Sequence, residues 1–86
     1  MRRKLVKDEK AYVLKNPMYL DRHSYQAEFS RLNYGYLDDL LEEGVIYQEG
    51  KTKHVCIIAR KLGTITIIFD SYPEFNKIRT ITERRR

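Results

Sequence analysis

The sequence predicts an α+β domain in which a two-helix hairpin packs on one face of a four-stranded antiparallel sheet. Two observations indicate it. Apolar residues recur at helical spacing before Gly44, whereas from Val45 onwards they alternate with a period of two. The turns between the alternating segments are short, and short turns join antiparallel neighbours. The chain has 86 residues, so we expect residues 1–86 to form one domain.

The N-terminal half predicts a strand followed by two helices. Ala11–Leu14 is short, favours extended structure and is followed by a proline, which makes it a candidate edge strand. Asp21 can cap a helix from about Arg22 to Leu32. A second helix begins at Leu37, and Gly44 stands where a left-handed C-cap residue belongs. The expected inward positions of this helix are Leu37, Leu40 and Leu41, and the outward ones are Asp38, Asp39, Glu42 and Glu43.

Four strands are predicted after Gly44, at Val45–Glu49, His54–Arg60, Thr64–Asp70 and Asn76–Thr82. Alternation predicts which side chains face the helices: Val55, Ile57 and Ala59 together with Ile65, Ile67 and Phe69. The other face would carry His54, Cys56, Ile58 and Arg60 with Thr64, Thr66, Ile68 and Asp70. On the last strand, Ile78 and Thr80 would point inward and Lys77, Arg79 and Ile81 outward. A bulge or a one-residue slip would invert this last assignment.

Charge is divided along the chain. Residues 1–20 carry a net +4, residues 21–49 a net −5 and residues 50–86 a net +6, which gives the overall +5. The acidic block is explained by the solvated faces of the two predicted helices. Clusters of Lys and Arg attract phosphates, so a nucleic acid or the ribosome is the expected partner, while the alternative is a surface that only confers solubility. We expect the basic segment 1–10 and the tail 83–86 to be mobile.

The residue types argue against most conventional enzyme chemistry. His23, His54 and Cys56 match no zinc spacing, and no Gly-rich phosphate loop is present, so we expect neither metal nor cofactor. A single cysteine suits a reducing compartment. The longest apolar run, Val55–Ala59, is far short of the ~20 residues that span a bilayer. We therefore expect a cytoplasmic protein with no membrane partner.

RNA cleavage without a metal remains open. Attack of a 2′-hydroxyl on its own phosphodiester needs a proton acceptor, a proton donor and cations around the phosphate. The candidate catalytic residues are His54, Arg60, Arg79 and Tyr72, and the candidate RNA-binding residues are Lys61, Lys77, Arg84, Arg85 and Arg86. Each has a structural alternative: strand arginines solvate an exposed face, His54 is a surface residue, and Tyr72 anchors a loop.

The order of elements from His23 to Thr82 carries a resemblance. His23 opens the first predicted helix, Arg31 follows eight residues later, and the second helix ends at Gly44. The last predicted strand closes on Ile78–Thr82 and is followed by Glu83, Arg84, Arg85 and Arg86. This order resembles a small domain family of uncharacterised function grouped with the RelE/ParE and BrnT toxins. The resemblance implies a RelE-like fold, a toxin directed at RNA or the ribosome, and a cognate antitoxin. His23 and Arg31 would then be functional, although His23 also fits a structural hydrogen bond to a neighbouring strand.

Two function hypotheses follow. In the first, the protein is a toxin-like RNA-binding domain, with metal-independent endoribonuclease activity as its catalytic form. In the second, it is a non-catalytic protein-interaction module or a homodimer of the same fold, which uses an edge strand or the acidic helical face.

Overall fold

The structure, a computed structural model, describes residues 2–20 and 37–85. These residues form a mixed six-stranded sheet and two helices, so the α+β class is confirmed, while the sheet is larger than the four strands expected. The elements are β1 (Arg3–Lys4), α1 (Lys7–Leu14), β2 (Met18–Leu20), α2 (Leu37–Glu43), β3 (Val45–Gln48), β4 (Lys53–Arg60), β5 (Gly63–Ser71) and β6 (Asn76–Arg85). The predicted helix from Arg22 to Leu32, with His23 and Arg31, lies outside the described residues.

The four C-terminal strands form the predicted antiparallel meander, and the N-terminal residues extend it at both edges. The strand order is β1-β3-β4-β5-β6-β2. β1 pairs antiparallel with β3, whereas β2 pairs parallel with β6. The chain therefore crosses from one edge of the sheet to the other through α1. Both added strands are very short, which is a common property of edge strands in natural sheets.

The prediction of an edge strand at Ala11–Leu14 is wrong, because these residues form the second half of α1. The helix begins after Val6, whose backbone N–H donates to the Glu9 carboxylate at 3.1 Å. Asp8 and Glu9 in the first turn also interact favourably with the helix dipole. Val13 and Leu14 then pack against the core, and this packing compensates for the weaker helix propensity of Val13.

One face of the sheet is covered by α1 and α2, and we call it the helix face and the other the opposite face. α2 confirms the predicted pattern, since Leu40 and Leu41 are buried and Leu37 packs against the core. Lys10 joins the two helices by donating from Nζ to the carbonyls of Glu42 and, at 2.7 Å, Gly44. The core cluster consists of Leu5, Leu40, Leu41, Ile46, Cys56, Ile58, Ile65, Ile67, Phe69, Ile78 and Ile81.

The predicted faces are right for β5 and wrong for β4. Cys56 pairs with Ile67, and the neighbouring pairs His54–Phe69 and Ile58–Ile65 place these β4 residues on the same face as their β5 partners. The helix face therefore carries His54, Cys56, Ile58 and Arg60, and the opposite face carries Val55, Ile57 and Ala59. Every residue from Val55 to Ala59 is apolar, so the alternation on which the prediction depended gives no phase here.

On β6 a bulge changes the phase of the strand. Phe69 pairs with Ile78, but the preceding Ile68 pairs with Thr80, so one extra residue lies in β6 at this point. As a result Ile78 and Ile81 are both buried on the helix face, and Thr80 lies on the opposite face. Thr80 was expected to point towards the helices and Ile81 away from them, and the structure shows the reverse. The cause is a β-bulge, which the sequence leaves open as a possibility.

β6 also continues beyond its predicted end at Thr82. Glu83, Arg84 and Arg85 pair with the first residues of β5, so this part of the expected mobile tail belongs to the sheet. The segment 1–10 likewise contains β1 and the first turn of α1. Arg86 lies outside the described residues.

Gly44 is required by packing and not by a left-handed cap. No glycine or other residue in the described part of the chain has a positive φ, so the predicted C-cap conformation is wrong. A Cβ on Gly44 would collide with the Cys56 Sγ and would lie 2.8 Å from the Ile58 Cγ1. The end of α2 therefore lies directly on β4. Among the described residues, no helix has the length and apolar character needed to cross a membrane.

Candidate nucleic-acid interface

Basic side chains collect on the opposite face of the sheet. Strand register places Lys4 beside Tyr47, and it sets Lys53 and Lys77 on either side of Asp70. Arg84 stands beside Thr64. In the described residues this face carries the basic residues Arg2, Lys4, Lys53, Lys77, Arg79 and Arg84, against the acidic residues Glu49 and Asp70.

Half of these cations have an acidic partner and half do not. Arg2 and Lys53 both bind Glu49, with 3.2 Å between Lys53 Nζ and Glu49 Oε1. Hydrogen bonds from Arg2 and then from Lys53 hold the pKa of Glu49 below its usual value. Arg79 lies beside Asp70. Within the described part of the chain, the other three cations of this face form no ion pair: Lys4, Lys77 and Arg84.

The helix face differs in that each of its strand arginines is paired. Arg3 Nη1 lies 2.8 Å from the Glu9 carboxylate, and the same pairing lowers the pKa of Glu9. Arg60 Nη2 lies 3.2 Å from Glu43 at the end of α2. Arg85 binds Glu83 two residues earlier on its own strand at 3.1 Å. The two faces therefore differ: the three strand arginines of the helix face are all paired, whereas three of the six cations on the opposite face form no ion pair with any described residue.

Between Lys77 and Arg84 the opposite face is lined by hydroxyl groups. Ladder pairs place Thr66 beside Thr82, with Thr64 and Thr80 in neighbouring rows. A threonine hydroxyl can donate a hydrogen bond to a phosphate oxygen. The strip from Lys77 to Arg84 covers seven residue steps of a strand, or about 23 Å. It could therefore follow several consecutive phosphates.

Three aromatic rings lie at the Lys77 end of this face. Tyr19 on β2 is in register with Lys77, and Tyr72 and Phe75 are the first and last residues of the loop between β5 and β6. The Phe75 ring contacts Tyr19 edge-on, with centroids 5.8 Å apart, and stacks on Tyr72 with centroids 4.8 Å apart. All three are exposed: Tyr19 by 57%, Phe75 by 37% and Tyr72 by 36%. We call Tyr19, Tyr72 and Phe75 the aromatic triad.

Two of the predicted catalytic residues lie on the helix face. His54 is 5% exposed, its ring stacks on Phe69 at 5.3 Å, and its Nδ1 lies 2.7 Å from the Thr52 carbonyl oxygen. It lines a groove of about 330 Å³ beneath α1. The alternative expectation, that His54 is a surface residue with no catalytic role, is therefore wrong about its exposure. Arg60 lies on the same face six residues along β4, about 20 Å away.

The other two predicted catalytic residues lie elsewhere. Arg79 is on the opposite face beside Asp70, and Tyr72 belongs to the aromatic triad. The structure therefore brings Arg79 and Tyr72 to one side of the sheet and His54 and Arg60 to the other. It does not assemble the four around a common point.

The predicted RNA-binding residues are also divided. Lys77 and Arg84 lie on the opposite face, whereas Arg85 lies on the helix face with Glu83. Lys61 is exposed in the turn between β4 and β5. Neither Tyr19 nor Phe75 is among the residues predicted from the sequence. Phe75 could have been found from the sequence, because aromatic residues stand on both sides of Pro73. Tyr19 could not, because its position depends on β2, a strand that the sequence does not predict.

Within residues 2–20 and 37–85, no three His, Cys, Asp or Glu side chains are grouped so that they could hold a metal ion. No family model matches the chain, and no curated protein or solved structure is significantly similar to it. The resemblance to the RelE/ParE and BrnT toxins therefore stays a prediction. Function has to be argued from the charge and geometry of the two faces.

Proposed function

We propose that the protein binds RNA through the opposite face of its sheet. The observation that carries this proposal is the difference in ion pairing between the two faces of the sheet. Among residues 2–20 and 37–85, Lys4, Lys77 and Arg84 of the opposite face have no acidic partner, whereas each strand arginine of the helix face is paired. Cations without protein partners are available to phosphates, and their binding to a polyanion releases condensed counterions.

The choice of RNA over DNA rests on the resemblance to RNA-directed toxins, because charge alone suits either polyanion. The same resemblance would place the protein on messenger RNA or the ribosome, with a RelE-like fold and a cognate antitoxin as its protein partner. The proposal covers binding and not cleavage, since the four predicted catalytic residues lie on both faces of the sheet. A cleavage assay in EDTA would test the catalytic form separately.

The test compares two triple variants that remove the same charge from different faces. Lys4→Ala/Lys77→Ala/Arg84→Ala acts on the opposite face, and Arg3→Ala/Arg60→Ala/Arg85→Ala is the matched control on the helix face. Binding to a labelled single-stranded RNA is measured by fluorescence anisotropy at several salt concentrations. Each phosphate contact contributes about 0.7 to the salt slope for a single strand, so the first variant should lower the slope by up to about 2.

The control should keep the wild-type slope. Equal losses in both triple variants would show a general effect of net charge and would overturn the assignment to one face. Lack of RNA binding by the wild-type protein at low salt would overturn the function itself. A DNA strand of the same sequence completes the design, and tighter binding to DNA would reject the choice of RNA.

The protein-interaction alternative is less well supported by the described residues. β1 and β2 pair with the two outer strands of the meander, which limits strand addition there. The part of β6 beyond Ile78 extends past β2, but it carries Arg79, Glu83, Arg84 and Arg85. Charged residues on an exposed edge oppose pairing with another chain. Light scattering would identify a homodimer directly.

A further inference from the structure

We infer that the aromatic triad binds unpaired bases by stacking, so that the opposite face accepts single-stranded RNA in preference to a duplex. The inference rests on the proposed RNA binding but uses a separate observation. The Phe75 ring contacts both Tyr19 and Tyr72, and each of the three rings remains more than one-third exposed. A folded chain gains free energy by burying such rings, so a contiguous exposed group of them marks a binding site.

The triad is held by the backbone around it. Tyr72 N–H donates to the Phe75 carbonyl at 2.8 Å and closes the loop between β5 and β6. The next residue, Asn76, is fully buried; its backbone N–H donates to the Pro17 carbonyl at 2.8 Å and its Nδ2 to the Val13 carbonyl at 2.9 Å. These bonds fix β2, and with it Tyr19, against β6. A ligand would therefore meet rings that are already in place, which reduces the entropic cost of binding.

The surrounding charge fits a nucleotide as well as the rings do. Lys77 is in register with Tyr19, and Arg79 lies on the same face of β6. A base stacked on the triad would thus have cations beside it for the flanking phosphates. Proteins that bind single strands combine aromatic rings for the bases with cations for the backbone in this way. In a duplex the bases are already stacked on one another and cannot reach the rings without opening.

The first experiment measures stacking directly. The chain has no tryptophan, so Tyr19→Trp introduces into the triad a single tryptophan, whose fluorescence can be excited selectively. A 12-nucleotide single-stranded RNA should quench this fluorescence as it saturates, and the duplex formed from the same strand and its complement should quench it much less. Equal quenching by strand and duplex, or quenching by neither, would overturn the inference.

The second experiment separates stacking from charge. Tyr19→Ala or Phe75→Ala should weaken single-strand binding roughly 5- to 150-fold, the range expected for the loss of one stacked base, and should change duplex binding little. Tyr19→Phe should retain the wild-type affinity because the ring is kept. Tyr12→Ala is the matched control, since Tyr12 is 61% exposed but lies on α1 beneath Lys15.

The outcomes distinguish this inference from the proposed function. If the opposite-face charge variant weakens binding while Tyr19→Ala and Phe75→Ala do not, the face binds RNA by charge alone and the triad has another role, such as contact with a protein. If wild-type protein binds no RNA, both fail together. Circular dichroism melting of each variant shows whether a loss of affinity reflects a loss of fold.

Discussion

Arg79 is bound to Asp70 across the opposite face of the sheet, with 3.5 Å between Arg79 Nε and Asp70 Oδ2. The other oxygen of Asp70 accepts a hydrogen bond from the Thr52 hydroxyl at 3.1 Å. The pairing accompanies the bulge, which places Arg79 between Ile78 and Thr80, the residues that pair with Phe69 and Ile68. Arg79 therefore lies on the opposite face. Arg60, which the sequence predicts to be on the same face as Arg79, lies on the helix face.

We predict that Arg79→Ala weakens RNA binding and that Arg60→Ala leaves it unchanged. Both arginines are paired, Arg79 with Asp70 and Arg60 with Glu43, so they differ in the face on which they lie: Arg79 is on the proposed binding face and Arg60 is on the helix face. Loss of one phosphate contact should lower the salt slope on single-stranded RNA by about 0.7. Both side chains are about half exposed, so the free energy of unfolding should change by no more than about 0.5 kcal/mol in either variant.

Anisotropy titrations at four salt concentrations measure the slopes, and urea unfolding measures the stabilities. An equal reduction of the slope in both variants would mean that RNA contacts both faces or that net charge alone decides affinity. A reduction only in Arg60→Ala would place the interface on the helix face.

The sequence was informative where apolar and polar residues alternate strictly. In β5, Thr66 separates Ile65 from Ile67, and only Ile68, between Ile67 and Phe69, interrupts the alternation. The predicted face of Ile65, Ile67 and Phe69 is confirmed. β4 offers no such contrast between Val55 and Ala59. Val55 is only 3% exposed although it lies on the opposite face, so burial occurs on both sides of this strand. Hydrophobic patterning cannot choose a phase for a strand that is buried on both faces.

Long-range contacts explain the other differences. The edge strands of two and three residues have no sequence pattern of their own, since they form only against β3 and β6. Without β2, Tyr19 could not be assigned to the aromatic triad. The bulge did leave a signal, because Ile78 and Ile81 are apolar residues three apart in a strand, a spacing that regular alternation does not allow.

We predict that Gly44→Ala destabilises the protein by about 1–3 kcal/mol, whereas Gly50→Ala is close to neutral. A Cβ on Gly44 would press on Cys56 and Ile58 in the core, and overpacking of this kind has that typical cost. At Gly50 the nearest atom to an added Cβ is the Lys53 Cβ at 3.8 Å, and its φ is not positive. Urea unfolding of both variants measures the difference.

Asparagine separates the packing explanation from the capping one. A left-handed C-cap tolerates asparagine, so Gly44→Asn would be nearly neutral if Gly44 had that conformation. Packing against β4 predicts instead that Gly44→Asn is at least as destabilising as Gly44→Ala. A neutral Gly44→Asn would therefore show that the end of α2 does not lie on Cys56.

We predict that Ile58→Ala costs about 2–5 kcal/mol and that Ile57→Ala costs clearly less. Ile58 is 1% exposed and belongs to the core beneath the helices, while Ile57 is only partly buried on the opposite face. Removal of buried methylene groups from a packed core has the larger cost because a cavity remains. The two residues are adjacent and chemically identical, so each controls for the other. If urea unfolding showed a larger loss of stability for Ile57→Ala than for Ile58→Ala, Ile57 would face the helices, as the sequence pattern predicts.

The last prediction concerns the pH dependence of stability at Cys56. Burial raises the pKa of its thiol from the ordinary 9.0 to about 12, because the thiolate cannot be hydrated beneath α2. The folded state therefore retains a proton that the unfolded state loses.

The stabilisation is complete below about pH 9 and is lost as the pH rises towards 12, with a slope of about 1.4 kcal/mol per pH unit from this one group. The comparison is with Cys56→Ala, which lacks the thiol. Urea unfolding at pH 8, 9, 10 and 11 should give curves of stability against pH that diverge above pH 9, with the steeper fall in the wild-type protein. Parallel curves would show that the thiol is accessible to water and that β4 does not bury Cys56 against the helices.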